Sequence, residues 1–202
     1  MNSGVVHVID DDAAMRDSLS FLLESADLAN KTYESAVVFL EHVKHLEPGC
    51  IVTDVRMPEM SGLELIQRLK TLGVTLPIIV MTGHADVPLA IEAMKAGVHD
   101  FIEKPFDDEA LLTAIRAALA QAEDQAQRSD ELAGIRGKLA SLSTREREVL
   151  QGLVAGQANK VIAYDLGISP RTVEIYRANV MTKMGAASLS ELVRMTLAAE
   201  RE

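Results

Sequence analysis

The chain has one cysteine, no tryptophan, three tyrosines and four phenylalanines. A single cysteine, Cys50, excludes an intramolecular disulfide and a cysteine-based zinc site. It opens an apolar run that reads as a buried strand, and nothing beside it would lower its thiol pKa. So few aromatics disfavour stacking platforms for single-stranded nucleic acid. No apolar run approaches the roughly 18–20 residues of a membrane span, so no membrane partner is expected. The opening Met1-Asn2-Ser3-Gly4 lacks a basic segment before an apolar one, so a secretory signal is not expected and the location reads as cytoplasmic.

What is present is ordinary globular composition: 202 residues, 48% hydrophobic and 25% charged. That length admits one large domain or two small ones. The net charge of −10 is uneven: residues 1–122 carry −10, residues 123–140 carry −1 and residues 141–202 carry +1. An acidic module is thus joined to a nearly neutral one. Acidity implies solubility and nothing more.

Short apolar runs alternate with helical patterns over the first 121 residues. Val5–Ile9, Lys31–Tyr33, Cys50–Thr53, Pro77–Met81 and Asp100–Glu103 read as strands. Between them come helical spacings: Met15, Leu19, Leu22, Leu23 and Ala26; then Val37, Leu40 and Val43; then Leu63, Ile66 and Leu69; then Val87, Ile91 and Met94. Leu111, Leu112, Ile115, Ala118 and Leu119 close the module. Strands alternating with helices predict an α/β fold with a parallel sheet covered on both faces. Apolar runs that do not alternate fit buried parallel strands. Residues 122–140 turn to Ala, Gln, Glu and Asp. They read as a partly helical linker with a weak seam at Ala118, Ala122, Ala126, Leu132 and Ile135. Residues 141–202 show no strand pattern and read as four short helices.

In a doubly wound sheet, ligands sit outside the carboxyl ends of the strands. Those ends hold Asp10-Asp11-Asp12, Asp54, Thr82 and Lys104-Pro105. Clustered carboxylates repel one another, and a divalent cation removes that cost. Hard oxygens suit Mg2+, which also accepts a phosphate oxygen. Lys104 offers a point charge and Thr82 a hydroxyl for the same phosphate. This is a phosphoryl-transfer site in which a carboxylate can act as nucleophile. The plainer alternative is that acids after strands are loop residues or helix caps, and Asp12 before Ala13 is partly that.

Asp10-Asp11, Asp54 within Val52-Thr53-Asp54-Val55-Arg56-Met57-Pro58, Thr82-Gly83 and Lys104-Pro105 together resemble a response-regulator receiver domain, over residues 4–121. The resemblance implies a flavodoxin-like five-stranded sheet in the order 2-1-3-4-5 and a receiver domain over 1–121. It implies Asp54 as phospho-acceptor and Asp11, Asp54 and the Arg56 carbonyl as Mg2+ ligands, with Asp10 in the outer shell. Thr82 and Lys104 would contact the phosphoryl oxygens. Phe101 matches the switch aromatic, although a core Phe in an edge strand is an equal reading. The Lys104-Pro105 bond would be cis.

In the second module, Ser143 with Glu146 three residues on makes a capping box, or Thr144 caps one residue later. Asn159–Leu166 is a short helix stopped by Gly167. Ser169 then caps a longer helix with Pro170 in its first position. Val173, Tyr176, Val180 and Met184 face inward. Arg171, Thr172, Glu174, Ile175, Arg177, Ala178, Asn179, Thr182 and Lys183 project outward. Two helices joined by a Gly-bearing turn form a helix-turn-helix, whose second helix enters the major groove. Thr144–Leu150, Asn159-Lys160, Thr172-Val173 and Asn179–Met184 resemble the LuxR/NarL-type DNA-binding domain, over residues 141–199. Ser169–Glu174 and Arg177-Ala178-Asn179, with Met81–Pro88 in the receiver, resemble the FixJ group. Lys160, Arg171, Thr172, Glu174, Arg177, Asn179 and Lys183 are the candidate DNA contacts, with Lys160 and Lys183 on phosphates. Glu174 departs from the broader family, which often carries a base there; a glutamate can accept from cytosine N4.

Two rivals compete. Asp10-x-Asp12 superficially suits a haloacid-dehalogenase phosphohydrolase, but Ala14 stands where that family has Thr or Val, and Asp54 is left unexplained. A receiver whose helical tail binds a protein instead of DNA is the other. Metal sites from His42 and His45, or from His84 and His99, lack clustered partners. The resemblance therefore points to a transcriptional regulator, not an enzyme beyond its own phosphorylation and dephosphorylation. Its partners would be a sensor histidine kinase, double-stranded promoter DNA and RNA polymerase, and its target genes those of oxygen limitation or nitrogen fixation. Phosphorylation would drive homodimerisation through Val87, Ile91 and Lys95, which share one face of a helix near Thr82.

Overall fold

The computed structural model describes residues 4–83 and 87–200, and for 87–90 the backbone alone. It divides into two compact units, Met1–Ala126 and Gln127–Glu202.

The first unit carries β1 (Val5–Ile9), β2 (Asn30–Tyr33), β3 (Gly49–Asp54), β4 (Ile78–Thr82) and β5 (Asp100–Glu103) in one sheet, order β2-β1-β3-β4-β5. All the pairings are parallel. The order reverses beside β1, so the carboxyl ends of β1 and β3 flank the switch point. The central strands are buried on both faces, β3 and β4 along their entire length, which is why their sequences do not alternate.

Helices α1 (Ala13–Ser25), α2 (Ala36–Glu41), α3 (Gly62–Thr71), α4 (Val87–Lys95) and the start of α5 (Asp108–Ala140) cover the sheet. Leu19 and Leu23 of α1 and Leu111, Ile115 and Ala118 of α5 pack with Val6, Val8 and Val52 on one face. Phe39 of α2, Leu65, Ile66 and Leu69 of α3, and Ala93 of α4 pack with Ile9, Ile51 and Val80 on the other.

Two helix faces differ from the sequence expectation. In α2 the buried residues are Ala36 and Phe39, while Val37 is exposed; the helix ends at Glu41 and Val43–His45 form a 3-10 turn. Ala93 of α4 and Ala96 just after it are buried, while Ile91 and Met94 are about half exposed. The small residues let this helix approach the sheet, and the larger ones face away. Residues 122–140, expected as a linker of partial helicity, are helical throughout as part of α5, and the two units divide within that helix.

The second unit holds α6 (Thr144–Val154), α7 (Asn159–Leu166), α8 (Pro170–Met184) and α9 (Leu189–Glu200). Ile135, Leu142, Val149, Leu150, Leu153, Ile162, Val173, Val180, Met184 and Leu192 make its core. Gly152 permits the α6–α7 approach: a Cβ there would meet Ile162 Cγ1 at 2.7 Å.

Candidate functional site

β1 and β3 are neighbours in register, Ile9 opposite Thr53, so Asp10 and Asp54 leave the sheet side by side. Both are buried, at 1% and 8% exposure. Lys104, just beyond β5, spans them: its Nζ lies 2.8 Å from Asp10 Oδ2 and 2.6 Å from Asp54 Oδ1. The second oxygen of Asp54 accepts the Arg56 backbone N–H at 2.6 Å. Burial alone would lower the Lys104 pKa, but its hydrogen bonds to Asp10 and Asp54 outweigh it and hold the ammonium above its ordinary value. The Lys104–Pro105 peptide is cis.

Asp10 Oδ1 accepts the Asp12 N–H at 2.9 Å, and Asp12 caps α1 by accepting from Ala14 N–H at 2.9 Å. Asp11 is exposed between them. Thr82 ends β4 and is 1% exposed. Phe101 lies on β5 opposite Val80, half-buried against the α2–α4 side of the sheet. Gly62, the first residue of α3, lies against the end of β3; a Cβ there would meet the Asp54 carbonyl oxygen at 2.3 Å.

Four hard oxygen donors are thus available at two adjacent strand ends: the carboxylates of Asp10, Asp11 and Asp54, and the Arg56 carbonyl. Lys104 is the cation that bridges two of them. That donor set fits a small hard divalent cation. Among the described residues, no group of three His, Cys, Asp or Glu is drawn together as a metal cage. His42 and His45 instead line a cavity of about 460 Å3 with His7, Tyr33 and Glu47. His99 Nδ1 pairs with Gln121 Oε1 at 2.7 Å, and His84 lies outside the described residues.

In the second unit, Gly167 closes α7 with φ of +65°, a left-handed conformation that favours glycine. Ser169 Oγ accepts the Thr172 N–H at 3.1 Å and starts α8, with Pro170 in its first turn. Arg171, Glu174, Ile175, Ala178, Asn179 and Thr182 are exposed along α8, as is Lys160 on α7. Thr172 and Arg177 are half-buried, not fully outward. The Thr172 hydroxyl pairs with Ser169 Oγ at 2.8 Å and so serves the helix cap. Lys183 is also engaged within the unit, with its Nζ 2.7 Å from Glu146 Oε2.

Residues 6–116 match the response regulator receiver domain, and residues 140–196 match the bacterial regulatory proteins of the LuxR family. The chain is a response regulator with a LuxR-type DNA-binding domain. It is 61% identical to the transcriptional regulatory protein FixJ of Azorhizobium caulinodans over 194 residues, 96% of this chain and 92% of that one. The crystal structure of full-length FixJ from B. japonicum aligns with a TM-score of 0.62 at 53% identity, covering 98% of each chain. A low-resolution structure of the response regulator StyR aligns with a TM-score of 0.84 at 40% identity, covering 96% of this chain and 98% of that one.

As a member of that family, this response regulator is a transcriptional regulator of a two-component system and not an enzyme of the usual kind. A receiver implies a histidine kinase as phosphoryl donor and generally works with Mg2+, and a LuxR-type domain implies DNA. No helix among the described residues is long and apolar enough to cross a membrane.

The response regulator's site also uses residues the sequence reading passed over. Arg16 Nη1 donates to the carbonyls of Asp10 at 2.8 Å and Asp11 at 3.1 Å, pinning the acidic loop. Its signal was a base one turn into the helix after three acids. Gly62 offered no signal beyond being a glycine after a helix cap.

Proposed function

We propose that Asp54 accepts a phosphoryl group from a histidine kinase, and that the phosphorylated protein dimerises in the cytoplasm and binds promoter DNA through α8. The observation that carries this reading is the Asp54 carboxylate at the end of a central strand. One oxygen is held by Lys104, which also binds Asp10, and the other by a backbone N–H. A carboxylate fixed at both oxygens is oriented before the reaction, which removes much of the entropic barrier.

An Asp54 oxygen attacks phosphorus as the bond from phosphorus to the donor imidazole nitrogen breaks. The electron pair goes to that nitrogen, which takes up a proton. Lys104 transfers its Asp54 hydrogen bond to a phosphoryl oxygen and keeps Asp10. Thr82, at the end of the next strand, turns its hydroxyl to another phosphoryl oxygen. Asp11, Asp54 and the Arg56 carbonyl would hold Mg2+, with Asp10 in the outer shell. When bound, that cation neutralises the charge that builds on the transferring phosphoryl group. The pull on Thr82 reaches Phe101 through the β4–β5 pairing, and α4 through the chain that follows β4.

Ile91 and Lys95 are both exposed on α4, so this helix presents an apolar and basic face outward. That supports it as the dimer surface; the Val87 side chain lies outside the described residues. Two copies present two α8 helices to two half-sites. Arg171, Glu174, Arg177 and Asn179 would read bases, Thr172 serves the start of the helix, and Lys160 would take a phosphate. As an activator the dimer would then engage RNA polymerase. The resemblance to the FixJ group supports target genes of the oxygen-limitation or nitrogen-fixation type.

Intact mass after treatment with acetyl phosphate and Mg2+ tests the acceptor. The wild type gains one phosphoryl group and Asp54→Asn gains none while remaining folded. Uptake to wild-type stoichiometry by Asp54→Asn assigns the acceptor elsewhere.

A further inference from the structure

Glu146 is 4% exposed although it is a carboxylate in the first turn of a helix. It does two things at once. It closes the capping box of α6 by accepting the Ser143 N–H at 2.7 Å, and it accepts from Lys183 Nζ at 2.7 Å. The hydrogen bond from Lys183, followed by the Ser143 backbone bond, holds the Glu146 carboxyl below the usual carboxylate range. Lys183 lies in the last turn of α8, just before Gly185 ends it.

Val149, Leu150 and Leu153 of α6 share one apolar core with Val173, Val180 and Met184 of α8. Such contacts are non-directional and set the spacing of two helices more firmly than their axial register. An ion pair to a capped, nearly buried carboxylate is directional. It joins the C-terminal turn of α8 to the N-terminal turn of α6, where the backbone is already fixed by the cap. The base-reading positions Arg171 to Asn179 lie on the same rigid helix, and base readout tolerates errors of only about 0.5 Å.

We propose that Glu146 is a positioning residue for DNA recognition. It pins α8 through Lys183, and Lys183 acts on DNA through this pair and not as a phosphate contact. This rests on the reading of α8 as the recognition helix. A lysine neutralised by a neighbouring carboxylate adds little to the counterion release that phosphate contacts produce, so the two roles leave different salt signatures.

The test uses the full chain, treated with acetyl phosphate and Mg2+. The probes are a duplex selected by the wild type from a random pool and an unselected random duplex. Lys183→Gln and Glu146→Gln should each lower discrimination between the two by about tenfold, roughly what one base pair carries. The double variant should lose no more than either single one. The salt slope of Lys183→Gln should equal that of the wild type, and Lys183→Arg should restore discrimination. A slope lower by about one with discrimination intact would make Lys183 a phosphate contact and overturn the proposal. Additive losses in the double variant would overturn it as well. If Lys183→Gln fails to fold, the double variant, which leaves no unpaired carboxylate, takes its place with the same expected slope. Failure of the wild type itself to bind duplex DNA would instead defeat the reading of α8.

Discussion

His7 is a buried histidine, 1% exposed, on β1, the strand next to edge strand β2. Its ring nitrogens meet the Tyr33 hydroxyl at 3.2 Å and the Glu47 carbonyl at 3.1 Å. Burial lowers its pKa most; the Glu47 carbonyl and the Lys31–Glu47 pair act in smaller, partly opposing ways. The fold therefore favours the neutral ring. The unfolded chain binds its proton near pH 6.5, above the folded value. Stability from this residue is present above about pH 6.5 and is lost as the pH falls towards the folded pKa. Carboxylates held low, such as Glu64 and Glu146, lose their contribution only below about pH 4.5. Urea midpoints between pH 7 and 5 should fall for the wild type and stay flatter for His7→Gln. Equal slopes would remove His7 as the cause. At this scale the sequence was most legible at strand ends. Asp10, Asp54 and Thr82 each close an apolar run and Lys104 follows the short β5, and a parallel sheet gathers such positions at one edge. Lys183 was not legible in the same way. Its exposed helical position matches that of a phosphate contact, and its true partner lies 37 residues earlier in the chain.

Helices show where periodicity stops informing. The spacing of Val87, Ile91 and Met94 marks α4 correctly as a helix, yet the residues buried there are Ala93 and, just past its end, Ala96. Apolarity in a repeat reports a helix; which face is covered depends on how closely the sheet lets it approach. α2 repeats the lesson, with Val37 outside and Phe39 inside. The Ala- and Gln-rich stretch after residue 121 has strong helix formers but almost no apolar stripe, so its continuity with α5 could not be read from packing. Gly62 offers a test at this scale. Gly62→Ala sets a methyl group against the Asp54 carbonyl and must displace either α3 or the acceptor strand. It should cost about 1–3 kcal/mol, the usual overpacking penalty, and slow phosphorylation. Denaturant unfolding and the rate of acetyl phosphate labelling check both effects. A variant that is less stable but is labelled at the wild-type rate would show that α3 yields and Asp54 does not move.

Over the whole molecule, an acidic phospho-acceptor module and a helical DNA-binding module make up a regulator whose input and output chemistries are separate. One helix-turn-helix reads few base pairs, and in the function proposed above the signal raises the number of recognition helices at the DNA. The exposed Ile91 and Lys95 on α4 supply the face through which that change would occur. Ile91→Asp should leave labelling of Asp54 intact and prevent assembly, as size-exclusion chromatography of the labelled variant would show. A labelled Ile91→Asp that still dimerises would place the interface elsewhere. A receiver needs to favour its active state by only a few kcal/mol to move most of its population. The most direct measurement is light scattering of the full chain with and without acetyl phosphate and Mg2+. If phosphorylation of Asp54 drives dimerisation, the molar mass rises from that of one 21.9 kDa chain to that of two, and Asp54→Asn stays monomeric under both conditions. A fully phosphorylated wild type that remains monomeric while its DNA affinity rises would contradict it.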